Sequence, residues 1–148
     1  MSDSSDLPED VRRLLHEHID SYEQLEVLLL LRRERYEAWT SDALAARLHV
    51  AAALVAPALS TLKAAGLVAA DEGSDSAGQP SRYAYRPASS GLDATVGILD
   101  REYAERPISI IKLMSANSIE RVRTAALHTF ADAFVLNKNS SKKDKDRG

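Results

Sequence analysis

Few side chains in this sequence are spaced for covalent chemistry. The four histidines stand at His16, His18, His49 and His128. No two are four residues apart, and His16 and His18 would point to diverging sides of a helix, so a shared metal ion is not expected. Asp100 and Glu102, two residues apart, diverge in the same way. Cysteine is absent, which removes thiol nucleophiles, disulfides and thiolate metal sites. The six glycines form no phosphate-cradling loop. The expectation is a protein that is not an enzyme and uses neither metal nor cofactor. What remains is binding chemistry. Arg82 and Arg86, with Gln79, Ser81 and the turn-rich residues 73–78 beside them, could hold a phosphate, and His49 could reach one. Ordinary solvated strand charge and a plain surface histidine are the competing readings.

Those residues need elements to carry them. The chain has 148 residues, 45% hydrophobic and 28% charged, enough for one packed domain and incompatible with wholesale disorder. Net charge is −3, so the basic excess common in nucleic-acid binders is missing and any such contact must come from a local patch. The longest apolar run, residues 50–59, holds a proline and is too short to span a bilayer, and the acidic start lacks a signal-peptide pattern. A soluble, cytoplasmic protein with no membrane contact is expected. Pro8, Glu9 and Asp10 open a first helix in which Val11, Leu14, Leu15 and Ile19 repeat at helical spacing. Ser21 is placed to cap a second, residues 22–35, which is apolar nearly all round from Leu25 to Leu31 and therefore central.

Residues 37–87 hold the most information. A short extended piece, 37–40, precedes Ser41-Asp42, which can cap a helix over 43–48. His49-Val50 make a turn, a second helix reaches Ala65, and Gly66 sits where a left-handed residue is needed. Residues 67–70 and 82–86 read as two strands joined by a loop. Trp39 is expected to anchor the core where the extended piece meets the helices. This order, with Leu44-Ala45-Ala46-Arg47-Leu48-His49-Val50, then Val55, Leu59, Leu62 and Ala65-Gly66-Leu67-Val68, resembles the winged helix-turn-helix transcription regulators of bacteria, in the broad style of the MarR and ArsR families. The fold it implies is mainly α with a small β-hairpin: a winged helix-turn-helix core with flanking N- and C-terminal helices. The function it implies is a DNA-binding transcriptional regulator, with the second helix in the major groove and the flanking helices forming a dimer.

The reading positions depart from that pattern. Ala51, Ala52, Ala53, Ala56 and Pro57 offer methyls and a ring where such helices usually offer hydrogen-bonding side chains; a methyl can touch thymine but donates nothing. Ala51 also forgoes a capping side chain, at a cost of about 1 kcal/mol. Pro57 either kinks the helix or marks a start near Ala56. Across residues 40–87, Arg47, Lys63, Arg82 and Arg86 are balanced by Asp42, Asp71, Glu72 and Asp75. Contacts to double-stranded DNA would then fall to His49, Ser60, Lys63, Gln79, Ser81, Arg82 and Arg86, and binding would be weak and salt-sensitive. In the alternative, the module is degenerate and Ala52, Ala53, Ala56 and Pro57 form a smooth face that docks a protein partner.

Beyond the hairpin, residues 91–106 read as a helix with Leu92, Val96, Leu99 and Tyr103 on one face. Pro107 interrupts it, and Ile108, Ile110, Ile111, Leu113 and Met114 make another helix or a buried connector. Asn117-Ser118 would cap a last helix ending near Lys138, striped by Ile119, Val122, Ala126, Phe130, Ala133 and Leu136, with Leu127 and Phe134 widening the stripe. Either the first and last helices form a homodimer, or the stripe packs on the central helix of its own chain. The division expected is a flexible acidic tail (1–8), the winged helix-turn-helix domain with its N-terminal helix (9–87), a helical extension (88–136) and a disordered basic tail (137–148).

Overall fold

Helix α1 (Glu9–Glu17) starts directly after Pro8, with Glu9 and Asp10 in its first turn, where carboxylates favour the helix dipole. Helix α2 (Tyr22–Arg33) is capped by the Ser21 hydroxyl, which accepts from the Gln24 N–H at 3.2 Å, while Gln24 Oε1 accepts from the Asp20 N–H at 2.6 Å. In the computed structural model, which describes residues 7–71 and 80–145 and side chains through residue 133, six more elements follow. They are α3 (Ser41–Leu48), α4 (Ala52–Ala64), β1 (Val68–Asp71), β2 (Arg82–Tyr85), α5 (Ser90–Glu105) and α6 (Pro107–Lys145). The chain divides into two units, Met1–Met114 and Ser115–Gly148.

The first unit is built around α2. Leu25, Val27, Leu28, Leu29 and Leu31 are all buried, as a helix apolar on every side requires. Helix α4 packs on α2 and α3, with Leu44, Val55, Leu59 and Leu62 filling the seam and Leu48 and Val50 half-buried against it. Helix α1 packs on α5 and turns Val11, Leu14 and Leu15 inward. On α5, Val96 and Leu99 are buried and Leu92 and Tyr103 line the same core, as their spacing predicts. Ile110 and Met114, at the start of α6, complete it.

The hairpin is antiparallel, with Val68 opposite Tyr85 and Asp71 opposite Arg82. Trp39 borders the other edge of β2: its backbone N–H donates to the Tyr83 carbonyl at 2.8 Å, and its carbonyl accepts from the Tyr83 N–H at 2.7 Å. The indole is half-buried against the core at the place the sequence suggested. Gly66, between α4 and β1, has φ of 77°, and a Cβ there would lie 3.1 Å from the Ala88 Cβ. Both the left-handed backbone and the close approach demand glycine.

Some local expectations change. Helix α3 is capped by Thr40, whose hydroxyl accepts from the Ala43 N–H at 3.1 Å, and not by Ser41 or Asp42, which lie inside it. Helix α4 begins at Ala52, not near Ala56, and keeps Pro57 in its interior. Asn117 and Ser118 cap nothing: α6 runs 39 residues without a break. Pro107 occupies the first helical position, where proline starts a helix, and neither glycine nor proline follows before Lys145. The backbone therefore stays helical past Lys138 to Lys145, whereas the side chains of Phe134, Leu136 and the basic segment lie outside the described residues. At the other end Leu7 is buried in the core, so packed chain begins ahead of residue 9; residues 1–6 lie outside the described set.

The second unit is the remainder of α6. Its stripe is not covered: Ile119, Val122, Leu127 and Phe130 are 61%, 68%, 63% and 72% exposed. Among the described residues no single helix is long and apolar enough to cross a membrane.

Candidate nucleic-acid interface

Between α3 and α4 the chain turns by 116°, within the range of a helix-turn-helix. His49 makes that turn. It adopts the left-handed conformation (φ 57°, ψ 43°) at the end of α3, and the next amide, Val50 N–H, donates to the Ala45 carbonyl at 3.1 Å. A non-glycine residue in that region costs about 1 kcal/mol, so the imidazole is held exposed at the corner by backbone geometry.

Helix α4 has two unlike sides. Val55, Ala58, Leu59 and Leu62 face the core. Ala52, Ala53, Leu54, Ala56, Pro57, Ser60, Lys63 and Ala64 are exposed away from it, Leu54 as a large apolar side chain that is 48% exposed. No side chain caps its N-terminus at Ala51. The Thr61 hydroxyl donates to the Pro57 carbonyl at 3.1 Å. Two helices at a sharp angle, the second turned outward, lead through Gly66 into a hairpin edged by a third extended piece at Trp39. The core of this chain is a winged helix-turn-helix.

No family model matches this chain, and no curated protein does. Among solved structures it is similar to reduced HlyU from Vibrio cholerae N16961 (20% identity, covering 63% of this chain and 88% of that one, TM-score 0.47). It is similar also to the adhesin competence repressor AdcR from Streptococcus pyogenes (18% identity, 77% and 80% covered, TM-score 0.46). A third is a mutant of S. aureus MepR bound to an oligodeoxyribonucleotide (12% identity, 83% and 89% covered, TM-score 0.48).

The winged helix carries the sequence-predicted residues as follows. Ser60 and Lys63 share the outward stripe of α4, one turn apart and about 4.5 Å along its axis. Arg82 and Arg86 alternate onto one side of β2 and its continuation, with Ala84 between them, about 13 Å apart end to end. Both are exposed, Arg82 standing opposite Asp71 in the register and Arg86 donating its N–H to the Leu67 carbonyl at 3.1 Å. Ser81 is half-buried just before β2. Gln79 and residues 73–78 lie outside the described residues. The structure thus groups these side chains into two sets, one on α4 and one on the wing strand. Arg47, which the sequence offered only as part of the helix-turn-helix pattern and in the charge balance, is exposed on the last turn of α3.

The wing is fixed to the core by polar contacts. The Tyr85 hydroxyl donates to Asp93 Oδ1 on α5 at 2.6 Å. Burial, and then that hydrogen bond to a carboxylate, hold the phenol well above its ordinary range, so it stays a donor. Two turns along α5, Asp100 accepts from Arg32 Nη1 at 3.1 Å and from Arg33 Nη2 at 2.9 Å. Between the two carboxylates lies Gly97, where a Cβ would come within 3.0 Å of Arg32 Nη2. Nearby, the Tyr103 hydroxyl donates to Glu26 Oε1 at 2.8 Å. Asp100 and Glu102 do go separate ways, Glu102 accepting from Arg106 Nε at 2.8 Å. None of these long-range partners was visible in the spacing; a glycine in mid-helix was the one available sign of a close approach. Among the described residues no three His, Asp or Glu side chains converge as a metal site requires.

Proposed function

We propose that this chain is a DNA-binding transcriptional regulator that acts as a dimer. The observation that carries the reading is the outward side of α4: one side of the helix is locked into the core while the other is exposed to solvent. The alanines there let the helix axis come close to base edges, and their methyls, with the exposed side chain of Leu54, meet the C5-methyl of thymine. Lys63, Arg82 and Arg86 serve phosphates, which set register and contribute most of the affinity. The dimer is supported by α6, whose exposed stripe has no use in water. Helix α1, by contrast, has its apolar side already taken up by the core of its own protomer, which leaves the last helix as the principal contact. A twofold pair would present two α4 helices to two half-sites.

Fluorescence anisotropy of labelled duplexes, titrated across salt, tests this. Binding is expected to be weak and to fall steeply with salt. Alanine at Lys63, Arg82 or Arg86 should each lower affinity about threefold to tenfold and flatten the logarithmic salt slope by about 1. Tight, salt-insensitive binding would contradict that account of the contacts. Failure to bind any duplex would overturn the reading altogether and leave the α4 face to a protein partner. A second expectation concerns the methyls. Uracil in place of thymine should weaken binding about fourfold for each thymine methyl that α4 covers, the equivalent of one buried methyl group. Equal affinity for the uracil duplex would show that the α4 methyls do not meet thymine.

A further inference from the structure

Two elements, α2 and β2, meet one face of α5. Asp93, Gly97 and Asp100 stand at i, i+4 and i+7, so they line a single stripe of the helix. The Arg32 side chain from α2 lies across Gly97 and pairs with Asp100, while Tyr85, the last residue of β2, reaches Asp93. The charge of Arg32 also acts on the Tyr85 hydroxyl, in the opposite sense to that of Asp93. Glycine at 97 gives the guanidinium room, since a Cβ there would come within 3.0 Å of Arg32 Nη2 and press on it. The chain leaving Tyr85 is held by two more contacts: Arg86 N–H to the Leu67 carbonyl at 3.1 Å, and Ala88 N–H to the Gly66 carbonyl at 2.8 Å. Ser89 then caps α5.

We propose that Tyr85, Asp93 and Arg32 are positioning residues that register the wing against α5, so that Arg86, the residue after Tyr85, is presented at a fixed place to the phosphate it binds. The proposal rests on the DNA-binding reading above and adds to it the origin of the wing's placement: α5 and α2, which do not themselves face the nucleic acid. A shift of α5 along α2 would carry Asp93 with it and draw the end of β2 along.

A double-mutant cycle separates positioning from mere stability. Tyr85→Phe keeps the ring and removes only the hydroxyl; it is expected to lower duplex affinity about threefold to tenfold while the thermal midpoint moves by a few degrees at most. In the Arg86→Ala background the same change should have no further effect, because the group it positions is gone. Asp93→Asn, which keeps an acceptor for the phenol, should retain most of the affinity, and Asp93→Ala should behave like Tyr85→Phe. Additive losses in the cycle, or full affinity in Tyr85→Phe, would overturn the proposal. Hydrogen exchange gives a readout without DNA: the Arg86 and Ala88 amides should exchange about tenfold faster in Tyr85→Phe, and unchanged protection would overturn the anchor itself. If the wild-type chain binds no duplex, the DNA reading falls, and the exchange measurement alone decides whether Tyr85 registers the wing.

Discussion

Replacing Asp100 with alanine should destabilise the first unit by about 2–3 kcal/mol, far more than any surface charge in the molecule. Its carboxylate serves two guanidiniums at once, Arg32 at 3.1 Å and Arg33 at 2.9 Å, and the Asp100 and Arg32 side chains are only 17% and 23% exposed. Arg32 is in a poor position to lose that partner: its Nε is already buried without one. Removing one member of a buried pair leaves the other charge desolvated, which costs about 3–5 kcal/mol in fully buried cases; partial access to water lowers the figure here. Asp100→Asn, which retains an acceptor, should cost about 1 kcal/mol. The contrast is Glu9, whose side chain is 83% exposed and whose partner Arg13 is 58% exposed; Glu9→Ala should fall within about 0.5 kcal/mol of wild type. Urea unfolding of the variants decides the matter. An Asp100→Ala midpoint no lower than that of Glu9→Ala would show that the Arg32 cluster does not hold α2 to α5.

Charging the stripe on α6 should have the second large effect. On the proposed dimer, Val122→Glu with Phe130→Glu is expected to leave a monomer by sedimentation and to reduce duplex affinity by more than about tenfold, because one half-site would contribute in place of two. In the single chain these side chains are 68% and 72% exposed, with Ile119 and Leu127 nearly as open. Covering a side chain of that size contributes about 1.5–3 kcal/mol, so four of them, doubled by twofold symmetry, would offset much of the cost of association. The helix itself has a stake in the outcome. A long helix without a packing partner is only marginally stable in water, since its stability in proteins comes mainly from burying an apolar face. The variant should therefore lose helical content as well as mass. An unchanged sedimentation coefficient would place the dimer contact elsewhere or remove it.

The features readable from the residues were those decided within a few positions. Ser21 was legible as a cap because its partner is Gln24, three residues on, and Gly66 because a left-handed residue must follow α4. The helical period separated Val55, Leu59 and Leu62 from the bare residues of α4, so the candidate surface could be assigned to one helix. Where neighbouring residues compete for a role, the pattern was ambiguous: Thr40, Ser41 and Asp42 can all cap, and the backbone chose Thr40. Asn117 and Ser118 show the reverse error. Residues that favour caps stand inside a helix when nothing before them ends it, and the proline ten residues earlier opened α6 instead of closing it. The join between wing and core was beyond reach, because Arg32 and Asp100 are 68 residues apart and only the tertiary fold brings them together.

Pro57 has a consequence for the surface it sits on. Having no amide proton, it leaves out the rung that would tie it to the Ala53 carbonyl. Residues 52–56 are thus stitched to the remainder of α4 less firmly than an unbroken helix would be, and a small tilt about that joint costs little. On the DNA-binding role proposed above, a joint at that point would let α4 settle into grooves of differing width and, by the same freedom, discriminate among them poorly.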